Sequence, residues 1–126
     1  VARLNKDALA KYLGIEIVTM EPGYAKTRMK VRPELLNGVK VTHGGAIFAL
    51  ADVAFAAASN AHGPVAVALN VSINFLKATT EGCLLTATAL EDNLTKKTGV
   101  YRLEVRDEKE QLVALAEGTV YRKNND

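Results

Sequence analysis

The fold class this sequence predicts is α+β, one antiparallel sheet curled around a single long helix, and three observations carry it. The run from the Gly44-Gly45 pair to about Asn60 has helical length and is apolar nearly all round. Segments rich in Val, Ile, Leu and Thr lie on both sides of it, separated by turn residues. The helix falls between a hairpin and a set of four strands, an order that one curled sheet with a central helix satisfies. A helix without a polar face needs cover on every side, so sheet is expected against one side and a second subunit against the other.

Taken in order, Leu4, Ala8, Leu9, Tyr12 and Leu13 recur at helical spacing and Gly14 supplies a stop, which predicts a short amphipathic helix. Ile15 to Met20, the Glu21-Pro22-Gly23 turn and Tyr24 to Arg32 read as a hairpin, with Ala25, Thr27, Met29 and Val31 on one face. Lys26, Arg28, Lys30 and Arg32 take the other face, as a solvated sheet surface would. Pro33 opens an irregular link through Leu35-Leu36-Asn37-Gly38, and the long helix closes at Ala61-His62-Gly63-Pro64, where His62 reads as a loop residue without a role. Val65 to Lys77, Cys83 to Lys96, Gly99 to Asp107 and Gln111 to Arg122 then read as a four-strand meander, the last two joined across Glu108-Lys109-Glu110. In the third of these, Tyr101, Leu103 and Val105 alternate with Arg102, Glu104 and Arg106, a half-buried antiparallel pattern. The tail from Lys123 to Asp126 is expected to fray.

With 126 residues, 48% hydrophobic and 24% charged, residues 1–126 are expected to form one domain with a single core. Few aromatics and no Trp argue against a stacking platform for single-stranded nucleic acid, and a net charge of +2 is too slight to predict nucleic acid or a membrane as partner. Cys83 is alone, so neither a disulfide framework nor a zinc spacing is available, and it reads as a small buried hydrophobe at a strand start. No metal site and no cofactor are expected. The apolar run Ala46 to Ala58 is too short to span a bilayer, and no basic, signal-like start opens the sequence, so the expected location is cytoplasmic.

Chemistry points to Asp52. It is the one acid between Val41 and Leu76, a stretch otherwise free of formal charge apart from its histidines, and it lies on the apolar helix. A carboxylate there is costly to bury unless it is paired or has a job. The Gly44-Gly45 start of the same helix offers unpaired N–H groups at the positive end of the helix dipole, and glycine lets a ligand come close to the backbone. Such an end suits a developing oxyanion. Read singly, Gly44-Gly45 fits plain helix-start flexibility, His43 a hydrogen-bonding residue flanking the helix, and Asn37 before Gly38 an ordinary turn.

Asn37, then Thr42-His43-Gly44-Gly45, then Leu50-Ala51-Asp52, and a later strand ending Val71-Ser72-Ile73-Asn74-Phe75-Leu76-Lys77 together resemble the hotdog-fold acyl-CoA thioesterases. The branch is the phenylacetate-pathway (PaaI-type) one of the 4-hydroxybenzoyl-CoA thioesterase superfamily, and the resemblance runs from about Leu13 to Arg122. It implies hydrolysis of an acyl-CoA thioester, aryl-acetyl or short to medium acyl, to the free acid and coenzyme A. It implies that Asp52 is nucleophile or general base and that Gly44 gives a backbone N–H to the thioester oxygen. His43 and Asn37 would orient substrate or water, Gly45 would border the substrate, and Asn70 stands where relatives often carry a Ser or Thr that helps hold the attacking water. The family's dimers often pair into tetramers, so a homotetramer is implied as well.

Gly44 and Asp52 are eight residues apart, about 12 Å along a helix axis, and cannot both touch one carbonyl. The site is therefore expected between two subunits, Gly44 of one facing Asp52 of the other, which makes a homodimer obligatory. Two rival readings use the same fold. A hydratase or dehydratase would carry Pro and Phe around the histidine, which this sequence lacks, and a non-catalytic acyl-CoA-binding regulator could dispense with Asp52.

Overall fold

The computed structural model describes residues 6–123, so Leu4 of the expected first helix and Asn124 to Asp126 of the tail lie outside the described residues. The elements are α1 (Ala8–Leu13), β1 (Glu16–Glu21), β2 (Tyr24–Lys30), one 3-10 turn (Pro33–Leu35), α2 (Gly44–Asn60), β3 (Ala66–Phe75), β4 (Leu84–Leu94), β5 (Thr98–Arg106) and β6 (Leu112–Arg122). Asp7 caps α1, its side chain accepting the Ala10 N–H at 3.0 Å, and Gly14 ends it at φ 75°. The buried face differs from the expected one. Ala10 and Leu13 point inward, whereas Leu9 and Tyr12 stay 59% and 69% exposed. A helix this short has too little apolar area to choose its own rotation, and the Arg32 guanidinium holding the Tyr12 carbonyl at 2.8 Å helps fix it.

The six strands form one antiparallel sheet in the order β1-β2-β4-β5-β6-β3. This corrects the four-strand meander. Only β4, β5 and β6 follow one another across the sheet, while β3 pairs with β6 at the far edge and β2 takes the place beside β4. The reason is the helix: α2 crosses the inner face of the sheet between β2 and β3, so the chain re-enters on the opposite side.

The inner face is built for close approach. Ala25, Thr27, Met29 and Val31 point inward as the alternation predicts, facing Leu85, Ala87 and Ala89 of β4, and Tyr101, Leu103 and Val105 of β5. Small β4 side chains and the alanines of α2 bring helix and sheet together, and the buried Thr27 hydroxyl donates to the Leu50 carbonyl at 3.0 Å. Phe55 is the largest buried residue of α2. Its ring meets Tyr101 edge-on, centroids 5.6 Å apart, and occupies the space a side chain at Gly118 would need: a Cβ there would lie 2.6 Å from Phe55 Cζ. Burying Phe55 is worth about 1.5–3 kcal/mol, so glycine on β6 is required by packing.

One stripe of α2 escapes the sheet. Gly45 is exposed, and Phe48, Asp52, Ala56 and Asn60, following at intervals of three and four, are only half-buried. Beside it, β3 is an edge strand with Val67, Leu69 and Phe75 exposed, interrupted by a bulge between Ala68 and Asn70.

Candidate active site

The start of α2 is positioned by its neighbours on both sides. On one, the His43 N–H donates to the Leu35 carbonyl at 2.7 Å, Leu36 bridges to Thr42, and the Asn37 N–H donates to Val41 O at 2.8 Å. On the other, Thr42 clasps the segment between β3 and β4, its N–H reaching Thr79 O at 2.8 Å and the two hydroxyls meeting at 2.7 Å. Both threonines are buried. Thirty-seven residues separate them in sequence, and nothing local in the sequence announces the pair.

Within this frame His43 is the helix cap. Its Nδ1 accepts the Gly45 N–H at 2.9 Å, which leaves the proton of the neutral ring on Nε2. A Cβ at Gly45 would stand 3.1 Å from that Nδ1, so glycine is what lets the imidazole come so near. Asn37 folds its own loop, Oδ1 accepting from Val39 and Val41 at 3.0 and 3.3 Å. The modest readings of His43 as a flanking hydrogen-bonding residue and Asn37 as a turn residue therefore hold, and both still stand beside the helix start.

The Ala46 and Ile47 N–H groups turn to the His43 carbonyl, whereas the first helical N–H, that of Gly44, has no acceptor among the described residues. It borders a cleft of about 340 Å³ lined by Thr42, Ile47, Phe75, Leu76, Lys77 and Thr79 among others. The Phe75 ring lies over it: a Cβ at Gly44 would be 3.3 Å from Phe75 Cζ. An unpaired N–H at the positive end of a seventeen-residue helix, opening on a cleft, is suited to an oxygen that gains negative charge.

Asp52 lies elsewhere in the chain. Two turns along α2, it borders a separate cavity of about 130 Å³ with Phe55, Ala56, Ser59, Ala66, Ala68 and Val120. Its carboxylate has no hydrogen-bond or ion-pair partner among the described residues. Burial pushes the Asp52 carboxyl above the ordinary aspartate range, and the charge of Asp7 adds to the shift. The chain thus brings together Asn37, His43, Gly44 and Gly45 and leaves Asp52 apart. Asn70 joins neither cavity: it is exposed on β3, paired with Thr119 next to the bulge.

His62 has more to do than its sequence reading allowed. Its Nε2 meets Glu91 Oε1 at 2.7 Å, and the hydroxyl of the fully buried Tyr101 donates to the same oxygen at 2.8 Å. Burial acts to raise the Glu91 carboxyl, but the bonds from Tyr101 and His62, with the charges of His62 and Arg122, outweigh it and hold the group low. The same contact pushes the Tyr101 phenol up, behind the larger effect of its burial.

The sequence profile of the thioesterase superfamily matches residues 40–114, a span that takes in α2 with Gly44 and Asp52 and runs into β6. The chain belongs to the thioesterase superfamily. A relative from Archaeoglobus fulgidus is 52% identical over 97% of this chain and 79% of its own length. The acyl-coenzyme A thioesterase PaaI of Escherichia coli is 44% identical over 96% of this chain and 86% of that protein. The structure of the Escherichia coli PaaI protein from the phenylacetic acid degradation operon matches with a TM-score of 0.94, covering 98% of this chain and 89% of that one at 43% identity. A thioesterase protein of Streptococcus pneumoniae, solved with coenzyme A, matches with a TM-score of 0.91 at 26% identity over 98% of this chain and 96% of its own. The sheet around a central helix is accordingly the thioesterase hotdog fold. No helix among the described residues is long and apolar enough to cross a membrane.

Proposed function

We propose that this thioesterase hydrolyses an acyl-CoA thioester at a site shared by two subunits. The observation that carries the reading is the division of the chemistry along α2. Gly44 offers an unpaired N–H in one cavity and Asp52 an unpaired carboxylate in another, about 12 Å apart along the axis, so one chain holds two halves of different sites. The half-buried stripe of Phe48, Asp52 and Ala56 and the free β3 edge give a second copy an apolar face and a strand to pair with. The coenzyme A bound by the Streptococcus pneumoniae protein and the named activity of Escherichia coli PaaI support the choice of substrate.

In this site the thioester oxygen sits at the Gly44 N–H, where the negative charge of the tetrahedral intermediate develops. The Asp52 carboxylate of the other subunit acts on the carbonyl carbon, directly or through a water it deprotonates. Its raised pKa, caused chiefly by burial, makes it a better base once ionised. The intermediate collapses by expelling the thiolate of coenzyme A, a leaving group that needs no strong acid; on the direct route a water then hydrolyses the acyl-aspartyl anhydride, releasing the free acid and restoring Asp52. His43 keeps the N-terminal turn in shape, Gly45 keeps the approach open, and the Asn37 side-chain NH2, which its own loop does not use, orients substrate or water.

Mixing subunits tests the shared site. Asp52→Ala and Gly44→Val chains, each inactive alone, are combined and allowed to exchange. A mixed dimer holds one site with both defects and one with neither, so about half of the dimers regain one site of two and activity returns to about a quarter of wild type. Mixtures that demonstrably exchange yet stay inactive would place the whole site within one chain.

A further inference from the structure

Two buried hydroxyls beside the start of α2 take no part in the chemistry above. Thr42 and Thr79 are 5% and 4% exposed. Besides the backbone bond that joins them, the Thr42 hydroxyl donates to the Thr79 carbonyl at 3.1 Å, so its one proton is already used. The 2.7 Å contact between the two hydroxyls is then the Thr79 O–H donating to Thr42 Oγ1. Each bond of the clasp has a fixed direction.

A fold that only had to fill this space could do so with two valines, because replacing a bonded polar pair by apolar groups of the same shape costs little stability. What the hydroxyls add is orientation. Thr42 stands one residue before the His43 cap and two before Gly44, so any change in its backbone angles turns the Gly44 N–H with it. Thr79 stands four residues after Phe75, whose ring is the wall over Gly44. The clasp therefore ties the chain entering α2 to the chain leaving β3, and the unpaired N–H lies in the gap between them. On the other side only backbone contacts hold the same turn, from the His43 N–H to the Leu35 carbonyl and from Leu36 to Thr42. A donor aimed at a developing oxyanion has to be held within about 0.5 Å of its working place, a tolerance that a loop end does not meet unaided.

We propose that Thr79 is a positioning residue for the Gly44 N–H, its hydroxyl bond to Thr42 fixing the direction of that donor. This rests on the acyl-CoA thioesterase reading and adds a residue that acts through another. Two variants divide the side chain: Thr79→Val keeps its shape and loses the hydroxyl, and Thr79→Ser keeps the hydroxyl and loses the methyl. In Thr79→Val the Thr42 proton still goes to the residue 79 carbonyl, so no buried donor is stranded. With phenylacetyl-CoA and hexanoyl-CoA as substrates, Thr79→Val should lower kcat about tenfold and leave KM within about twofold, the pattern of a donor misplaced in the transition state. Thr79→Ser should keep kcat within about threefold, whatever either change does to the melting temperature. The double variant Thr42→Val/Thr79→Val, which contains no unpaired hydroxyl, should lose at least as much kcat as Thr79→Val and stands in for it if that chain does not fold. A wild-type kcat in Thr79→Val, or an equal loss in the Val and Ser variants, would reduce the hydroxyl to packing and overturn the proposal. So would a loss carried by KM alone. A wild type that hydrolyses neither thioester would instead sink the thioesterase reading itself, whereas failure of the clasp leaves an active wild type.

Discussion

The two ends of α2 are finished in opposite ways. At the C-terminal end the helix is tied down at several points. The Ser59 hydroxyl donates to the Phe55 carbonyl at 2.8 Å, Asn60 bonds the helix and both backbone groups of Ala66, the Gly23 N–H reaches Ala58 O, and His62, Glu91 and Tyr101 share one oxygen. At the N-terminal end His43 caps one N–H, the Gly44 N–H stays unpaired and a cleft opens. Saturation fixes one end of the helix, and the unsatisfied end is where we propose that the thioester oxygen binds. Asp52, between them, is held by the rigid half and faces outward without a partner.

The largest effect is expected at Asp52. Asp52→Ala should lower kcat by about 10²–10⁴-fold, the range for a lost general base or nucleophile, with Asp52→Asn nearly as inactive. The same variants should melt higher than wild type. The folded-state pKa of Asp52 is raised, so the fold favours its protonated form, and stability falls as pH climbs from the unfolded to the folded value and stays lower above it. Removing the acid removes that deficit. A melting temperature at or below wild type would show that the carboxylate is better accommodated than its burial implies. The acid limb of kcat/KM in wild type should have its midpoint above the ordinary aspartate value near about 3.9.

Gly44→Val comes next. Its side chain would push on Phe75 and crowd the unpaired N–H, and turnover should drop about 10²–10³-fold, as for loss of one oxyanion donor. Near-normal kcat would move the oxyanion site away from this N–H.

The smallest effects separate the two ends most clearly. Glu91→Ala leaves the buried Tyr101 hydroxyl without its acceptor, and should cost about 1–3 kcal/mol of stability in chemical denaturation while keeping kcat/KM within a few-fold of wild type. His43→Ala should do the reverse, losing about 0.5–2 kcal/mol as a missing cap but ten- to a hundredfold in kcat/KM. If both variants lost activity alike, the division between a structural and a functional end would not stand.

Local signals explain which of these features the sequence disclosed. The Gly-Gly start and the Asn60 end of α2 were legible because capping and periodicity are written within a few residues, and the alternation of β2 and β5 named their buried faces correctly. Asp52 was legible because a lone acid on an apolar helix stands out. The place of β3 was not, since pairing with β6 joins segments more than thirty residues apart and a strand looks the same beside either neighbour. Phe75 over Gly44, Thr42 against Thr79, and His62 on Glu91 were hidden for the same reason: each is a contact between distant segments made by side chains that are individually unremarkable in type. The buried face of α1 was misread because two apolar stripes compete on so short a helix, and what chooses between them is distant in sequence, the core that takes Leu13 and the Arg32 bond to the Tyr12 carbonyl.

The edge position of β3 also sets an order of events as the chain is made. Among the described strands the one carrying the Phe75 wall pairs only with β6, from Phe75 opposite Ala114 to Ala66 opposite Arg122. A nascent chain that has emerged only as far as β5 can build β1, β2, β4 and β5 on α2, but β3 then has no neighbour to lie against. The cleft at Gly44 therefore comes into being only once β6 has been made, and a product truncated before β6 would retain Asp52, His43 and Gly44 in sequence yet lack the Phe75 wall beside Gly44.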